Sequence, residues 1–286
     1  MIRANCGVVP ARPLSYRKAE VFLRDAVDWL ADIGLTKPPD HNTLWRAFGA
    51  LCTLRRLNSM LDLQAQLFRQ AHRLKLRDKP LALDSTCYEP HHRSRHYDWR
   101  CRKLGLGPGA KFGRKTAVSV NARRARQHRR MPKLATAAAA SCHLVLAARG
   151  HIGSGSDAPD FVPLLRQACR RAPVRSAVAD GGFDSEANHV VARTDLHVRS
   201  IIPADAGRPS AKLPAGRWRR HMRRRFARAA DKRRYGQRAQ AETLQSMLKR
   251  NLGDELRSRR KDRRKQEMVF RTVVHNITLT AALETG

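Results

Sequence analysis

The sequence predicts an α/β protein in which helices flank a mixed sheet and a small all-helical segment precedes it. Short apolar runs supply the strands: residues 81–88, the pair 133–140 and 142–148 that can form a hairpin, residues 174–180, and residues 196–204. Between and after these runs, apolar residues recur three and four positions apart, which is the helical period. Alternation of strand and helix signals is typical of a sheet with helices on both faces.

The N-terminal part of the chain is predicted to be helical. From Ser15 to Ile33 the apolar residues follow an amphipathic helical period. Either Asp40 or Asn42 can cap a second helical stretch, which we expect to continue to about Leu76, either unbroken or with a break near Asn58. We expect Trp45 to lie in a core.

The chain is strongly basic. Its 286 residues include 58 Lys and Arg against 24 Asp and Glu, a formal net charge of +34. This excess goes far beyond what solubility requires and indicates a polyanionic partner, which charge alone leaves open between DNA, RNA and an anionic surface. The hydrophobic fraction of 42% argues for a folded protein rather than a disordered one.

Other compositional features exclude several classes of protein. No apolar run approaches the roughly 18 residues that a spanning helix needs, so we expect no membrane segment. The N-terminal residues lack the continuous apolar core of a secretion signal. The six cysteines show no paired spacing and are interpreted as reduced thiols of a cytoplasmic protein.

The segment YGQRAQAETLQSMLK, from Tyr235 to Lys249, is predicted to be one helix with two different faces. At about 100° per residue, Tyr235, Arg238, Glu242 and Lys249 fall on one narrow face, and leucines on the other side can enter a core. A solvated face would also carry Arg and Lys in so basic a chain. The spacing Tyr-x2-Arg-x3-Glu-x6-Lys is more specific than the charges.

This spacing resembles the signature of the DDE transposases of bacterial insertion sequences, in the family-four and family-five groups. The resemblance implies that Glu242 is the last of three metal-holding carboxylates. Asp84 in LALDSTCY and Asp180 in VRSAVADGGFD match the first two motifs in the right order. We call Asp84, Asp180 and Glu242 the acidic triad. The alternatives are that Asp84 caps a turn and that Asp180 marks an ordinary strand-to-helix connection.

The residues after Asp180 also follow the second motif of the family. Two glycines free the backbone for a tight turn and for close approach of a ligand. Phe183 stands where the family frequently has Tyr, which removes a hydroxyl group but keeps the ring. We expect Asp184 or Ser185 to cap the next helix.

With these motifs, the element order matches a ribonuclease-H-like fold and predicts three parts of the chain. Residues 1–78 form a helical segment that either binds DNA ends or packs as a cap on the catalytic domain. Residues 79–254 form the DDE catalytic domain, with basic segments at 89–132 and 204–234. Residues 255–286 form a C-terminal helix that closes the core.

The resemblance implies a DNA transposase that cuts the ends of an insertion sequence and joins them to target DNA. The acidic triad would hold two Mg²⁺ ions, for which Mn²⁺ can substitute, because converging carboxylates repel one another unless cations neutralise them. Two such ions stabilise the attacking and leaving oxygens of an in-line displacement. Tyr235, Arg238 and Lys249 are implied to contact DNA.

The implied partners are the terminal inverted repeats of the element, the target DNA and a second copy of the chain on DNA, in the nucleoid of a bacterial cytoplasm. Two other functions remain open: a nucleic-acid-binding protein without catalysis, and a metal-dependent nuclease that cuts without joining. An inactive descendant of an element is a further possibility. A potential zinc site has spacing that fits no standard pattern, so we expect its histidines to contact phosphate instead: Cys87, His91, His92, His96 and Cys101.

Overall fold

The N-terminal part of the protein is helical in the computed structural model. The residues described are 14–32, 34–71, 74, 76, 79–90, 131–153, 155–204, 213–226 and 229–284. The first four helices are α1 (Tyr16–Asp25), α2 (Val27–Asp32), α3 (His41–Leu51) and α4 (Leu54–Gln70). Asp40 caps α3, because its Oδ1 accepts hydrogen bonds from the backbone N–H groups of Asn42 and Thr43 at 2.7 and 3.0 Å.

A five-stranded mixed sheet forms the centre of the protein. The strands in chain order are β1 (Leu81–Cys87), β2 (Glu89–Pro90), β3 (Pro132–Ala139), β4 (Val145–Ile152), β5 (Ser176–Val178), β6 (Arg199–Ile201) and β7 (Glu255–Leu256). The main sheet has the order β4-β3-β1-β5-β6, while β2 and β7 pair separately. Strands β1, β3 and β4 are antiparallel, and β1, β5 and β6 are parallel. This is the predicted ribonuclease-H-like arrangement.

Helices cover both faces of this sheet. They are α5 (Ala158–Arg171), α6 (Glu186–Val190), α7 (Arg217–Arg225), α8 (Ala229–Gly236), α9 (Ala239–Leu252) and α10 (Lys261–Glu284). A 3₁₀ turn (Gly181–Phe183) follows β5, and a π-helical turn (Val191–Asp195) follows α6. No helix in these described segments is long and apolar enough to cross a bilayer.

The alternation of side chains along β1 separates two apolar clusters. Leu81 and Leu83 belong to the cluster on the α5 side of the sheet, together with Leu164 of that helix. Ala82 points the other way and belongs to a cluster with Met222 of α7 and Ala241 of α9. Even-numbered residues of β1 therefore face the side of the sheet that α7 and α9 cover.

Helix α4 is part of the central core. Leu57 and Leu61 are completely buried and share an apolar cluster with residues of β3, β4, α9 and α10. Gln64 donates a 3.0 Å hydrogen bond to the carbonyl of Val273, and Asn276 donates one of 3.1 Å to Gln64. The same Asn276 side chain also bonds both backbone groups of Val145 on β4. These bonds join α4, α10 and the sheet into one unit.

Two expectations for the N-terminal helices are wrong. The break in the stretch expected to run to about Leu76 lies at Cys52 and Thr53 rather than near Asn58, because Thr53 caps the start of α4, and this helix already ends at Gln70. Trp45 is 51% exposed rather than in a core. The reason is that α3 is peripheral and has no fully buried residue. Its Phe48, rather than Trp45, contacts α10, through an edge-to-face contact with Phe270 at 5.5 Å.

Candidate active site

Parallel pairing between β1 and β5 brings the two aspartates of the acidic triad side by side. Leu81 lies opposite Ala177 and Ala82 opposite Val178. Continuing this register by two residues places Asp84 opposite Asp180, where the backbone is still extended. Because side chains alternate along a strand, both carboxylates lie on the sheet face that carries α9.

The carboxyl group of Asp84 is in an unfavourable environment for a negative charge. Burial raises its pKa to about 6, and the negative charges of Asp180 and Glu242 act in the same direction. The backbone N–H of Ser85 and the guanidinium of Arg238 oppose this rise. The other two members of the acidic triad are therefore close enough to act electrostatically on Asp84.

The turn after Asp180 is built around carboxylate oxygens. Asp180 Oδ1 accepts a 2.9 Å hydrogen bond from the N–H of Gly182 and thereby caps the 3₁₀ turn. A Cβ atom at Gly182 would lie 3.0 Å from Asp180 Oδ1 and 3.1 Å from Asp157 Oδ2. A side chain at this position would therefore require the two carboxylates to shift by a few tenths of an ångström.

Glu242 lies in the first turn of α9 and pairs with a neighbouring arginine. Arg238 Nη2 is 2.7 Å from Glu242 Oε1, although the Glu242 side chain is 55% exposed. Burial would lower the pKa of Arg238, but Tyr235 and Glu242 raise it above its usual value. The Arg238 guanidinium also lies 5.8 Å from the Tyr235 ring centroid, so these three residues are neighbours in space.

The segment that carries Tyr235, Arg238, Glu242 and Lys249 is not one continuous helix, contrary to expectation. Helix α8 ends at Gly236, a poor helix former, and α9 begins at Ala239. The turn between them is 3₁₀ in type, because Arg238 N bonds to Tyr235 O and Ala241 N to Arg238 O.

Lys249 is separated from the other three signature residues. It lies seven residues beyond Glu242, or roughly 10 Å along α9. Its Nζ is 5.6 Å from the ring centroid of Tyr88. Tyr235 packs edge-on against Phe226 at 4.7 Å, and burial raises the pKa of its hydroxyl. The structure thus brings Tyr235, Arg238 and Glu242 together and leaves Lys249 farther along the helix.

Comparison with known families identifies the larger part of this chain. Residues 76–277, which include every site residue described above, match the family model described as Transposase DDE domain. The chain therefore belongs to the DDE transposase family. This is a family of metal-dependent enzymes that cut and join DNA. Comparisons with curated proteins and with solved structures gave no match.

Asp184 of the transposase anchors another helix instead of capping α6, contrary to the expectation that it or Ser185 supplies the cap. Its carboxylate accepts hydrogen bonds from Arg219 Nε at 2.8 Å and forms a 2.7 Å ion pair with Arg219 Nη2. Ser185 occupies the cap position but its side chain makes no capping bond. Burial raises the pKa of Asp184, but the nearby His189 ring and the bound Arg219 guanidinium outweigh it and lower the pKa below its usual value.

A buried lysine of the transposase connects the end of β1 to the start of α5. Lys133 Nζ donates to Asp157 Oδ1 at 2.9 Å and lies 3.2 Å from Asp160 Oδ2. The same Asp157 oxygen accepts a 2.7 Å bond from Ser85 Oγ, next to Asp84. Sequence reasoning missed this group, although a lysine at the head of an alanine-rich strand was a signal for a buried ion pair.

The acidic triad does not form a closed metal-binding cluster in the described part of the chain. Among the residues that the structure describes, no three Asp, Glu, His or Cys side chains converge closely enough to hold a metal ion. Glu242 is directed to Arg238.

His91, His92, His96 and Cys101 of the potential zinc site lie outside the described residues, as does most of the basic segment 89–132. The described cysteines are free thiols: Cys52, Cys87, Cys142 and Cys169.

Proposed function

We propose that this chain is a DNA transposase that cuts phosphodiester bonds at the ends of an insertion sequence and joins those ends to target DNA. The observation that carries the proposal is the pairing register of β1 and β5, which when continued sets Asp84 beside Asp180. Both lie on the sheet face covered by α9, the helix that bears Glu242. Membership of the DDE family gives this arrangement its chemistry. The Tyr-x2-Arg-x3-Glu-x6-Lys spacing supports the family-four or family-five groups.

The acidic triad fits divalent cations in its donor atoms and its electrostatics. All three side chains offer carboxylate oxygens, the ligands that Mg²⁺ prefers. The raised pKa of Asp84 reflects burial and nearby negative charge, which a bound cation would compensate. Two Mg²⁺ ions, or Mn²⁺ in their place, would supply charge stabilisation at the attacking and leaving oxygens of an in-line displacement.

In this proposal Arg238 changes its partner when DNA binds. Without DNA it neutralises Glu242, at 2.7 Å. A DNA phosphate offers the same guanidinium a bidentate acceptor, which frees Glu242 to turn toward Asp84 and Asp180. Tyr235 remains a neutral hydrogen-bond donor beside it, because burial raises the pKa of its hydroxyl. Lys249 would contact the DNA backbone farther along α9 as a point charge.

The assembly in this proposal is a dimer on DNA. Joining two ends of one element requires both ends to be held together, and two copies of one chain provide two equivalent sites. A nuclease that cuts without joining would use the same acidic triad. Only the joining step distinguishes that function from transposition.

The first experiment measures cutting and joining by the native chain and by the variant Glu242→Gln. A labelled duplex carries the sequences that flank the coding region, an unlabelled plasmid serves as target, and Mg²⁺, Mn²⁺ or EDTA is added. We expect metal-dependent cuts at the repeat ends and labelled plasmid, both lost in Glu242→Gln while DNA binding persists. Glu255→Gln, an exposed glutamate on β7, is the matched control and should retain activity.

Three outcomes would contradict the proposal in different ways. Cutting that persists in Glu242→Gln removes this residue from the reaction. Cutting without joined product favours the nuclease. Tight binding with no cutting under either metal favours a protein that binds nucleic acid without catalysis, or an inactive descendant of an element.

A further inference from the structure

Helix α7 presents a row of arginines on the surface. Its sequence is RWRRHMRRR, and Arg217, Arg220 and Arg224 are exposed. Residues spaced by three and four lie on one side of a helix, so these three form a single stripe. Among the described residues, none of the three forms an ion pair with a carboxylate. Arg217 lies against the Trp218 ring at 5.1 Å, and Arg220 donates to the Pro214 carbonyl at 3.0 Å.

Two acidic residues fix the N-terminal end of α7. Asp184, whose side chain is completely buried, holds Arg219 through the bonds described above. The Glu186 carboxylate accepts hydrogen bonds from the backbone N–H groups of Trp218 and Arg219 at 2.9 and 3.0 Å. Carboxylates at a helix N-terminus also stabilise the helix dipole. Both acids directly follow the turn that begins at Asp180, so this turn and α7 are held together.

The buried side of α7 packs against residues that neighbour the acidic triad in the sequence. Met222 is 1% exposed and packs in one cluster with Ala82, Val178 and Ala241. Ala82 and Val178 lie two residues before the two aspartates of the acidic triad, and Ala241 lies one residue before its glutamate. The arginine stripe therefore belongs to a helix that packs against residues one or two positions before each of the three carboxylates.

An exposed arginine stripe on a helix that packs next to the three carboxylate-bearing elements has a specific physical use. The carboxylates repel a polyanion, so DNA reaches them only if nearby cations hold its phosphates. Arginine suits this task because its guanidinium binds phosphate oxygens through two parallel hydrogen bonds. Among the described residues, the two acids that contact α7 do not neutralise the stripe, because Asp184 and Glu186 are committed to Arg219 and to the helix N-terminus.

We propose that α7 is a DNA-backbone-binding helix, in which Arg217, Arg220 and Arg224 hold phosphates of the duplex beside the acidic triad. The inference rests on the proposed function for the identity of the polyanion. It does not depend on whether the bound DNA is cut. The stripe contributes affinity without base selectivity, because phosphate contacts carry no sequence information.

The test compares the salt dependence of DNA binding in two triple variants. One carries Arg217→Gln, Arg220→Gln and Arg224→Gln. The matched control removes three exposed arginines from the opposite face of the sheet, through the substitutions Arg166→Gln, Arg170→Gln and Arg175→Gln. Fluorescence anisotropy of a labelled duplex with the flanking sequence, recorded in EDTA over a range of NaCl concentrations, reports binding without cutting.

We expect the α7 variant to flatten the plot of log affinity against log salt by roughly 2 to 3 units, since each phosphate contact contributes about 0.9. The control variant should change this slope by less than about 1 unit. Replacing the same three α7 residues by Lys should preserve the slope, because the charge is retained. The three single Gln variants, each expected to lose about 1 unit, serve if the triple variant does not fold.

Equal slopes for the α7 variant and the native chain would overturn the inference, and so would equal losses in the α7 and control variants. These results are separable from the cutting assay. A native chain that cuts nothing, together with a flattened slope in the α7 variant, would reject the proposed reaction and retain the DNA-binding helix. A native chain that cuts, with an unchanged slope in the α7 variant, would reject only the helix.

Discussion

At the scale of single residues, the buried carboxyl group of Asp84 lowers the stability of the folded protein by an amount that depends on pH. Its folded-state pKa of about 6 lies above the ordinary value of 3.8. The unfolded chain therefore loses this proton at lower pH than the folded chain does. The loss of folding stability is absent below about pH 4, grows as the pH rises, and reaches its full value above about pH 6. A shift of this size corresponds to roughly 3 kcal/mol of lost stability.

We predict that Asp84→Asn stabilises the metal-free protein by up to about 3 kcal/mol at pH 8 and has little effect at pH 4. Urea unfolding of the native and variant chains in EDTA at both pH values measures the difference. Asp195→Asn, an exposed aspartate, is the control and should change neither value. An equal effect of Asp84→Asn on the free energy of unfolding at both pH values would mean that the charge of Asp84 does not cause the loss of stability.

The acidic triad shows what single residues reveal in a sequence. Asp84 and Asp180 stood out as candidate site residues because a charged residue inside or at the end of an apolar run is energetically costly unless it is paired or metal-bound. The partner that Glu242 selects was not recognisable, because an exposed carboxylate among many arginines has several possible partners. Asp184 was misjudged for a similar reason, since its partner Arg219 lies 35 residues away.

At the scale of elements, the Lys133 network joins two parts of the chain that border the acidic triad. Lys133 is almost fully buried and contacts Asp157, Asp160 and the carbonyls of Gly155 and Ser156. Burial lowers the pKa of this lysine, but bonds to the two aspartates outweigh the effect and raise it. The group therefore remains charged and fixes the start of α5 against β3.

We predict that Lys133→Met destabilises the protein by roughly 1 to 3 kcal/mol, because Asp157 and Asp160 lose a buried hydrogen-bond partner while Arg149 and His151 stay paired with Asp160 at 3.2 and 2.7 Å. Ser85→Ala removes one hydrogen bond to Asp157 and should cost only about 1 kcal/mol. Urea unfolding at pH 7 measures both values, with the exposed Lys232→Met as the matched control. The network has no structural role if Lys133→Met changes the free energy of unfolding as little as the control does.

The elements themselves were predictable where one face of each is apolar. Strands β1, β3 and β4 lie close to the expected residues, because their apolar patterns are long and uniform. The tight turn between α8 and α9 was not predictable from periodicity. Two residues in a 3₁₀ conformation leave the sequence pattern of a helix almost unchanged.

At the scale of the whole molecule, the sheet and the helices on its α9 side form one packed unit that includes α4. Leu57 and Leu61 of this helix enter the cluster shared with α9 and α10, while Ala65 and Phe68 enter the cluster shared with α5. The sequence left open whether residues 1–78 form a DNA-binding unit or a cap. It could not decide, because an amphipathic helix looks the same in either setting.

Removal of helix α4 is expected to destabilise the protein far more than removal of helix α1. A chain of residues 79–286 loses the buried Leu57, Leu61 and Phe68, each worth roughly 1.5 to 3 kcal/mol. It also loses the Gln64 bonds to α10. The combined loss is comparable to the 5 to 15 kcal/mol by which an ordinary domain is stable.

We therefore predict that the chain 79–286 shows no cooperative thermal unfolding and no near-ultraviolet circular dichroism of a packed core. A chain of residues 38–286 is the control, because it removes only α1 and α2, and α1 has no fully buried residue. This control should unfold cooperatively. Cooperative unfolding of the chain 79–286, with a midpoint close to that of the full chain, would instead make residues 1–78 a separate domain. In that case DNA binding by the isolated segment 1–78 becomes the measurement that decides its role.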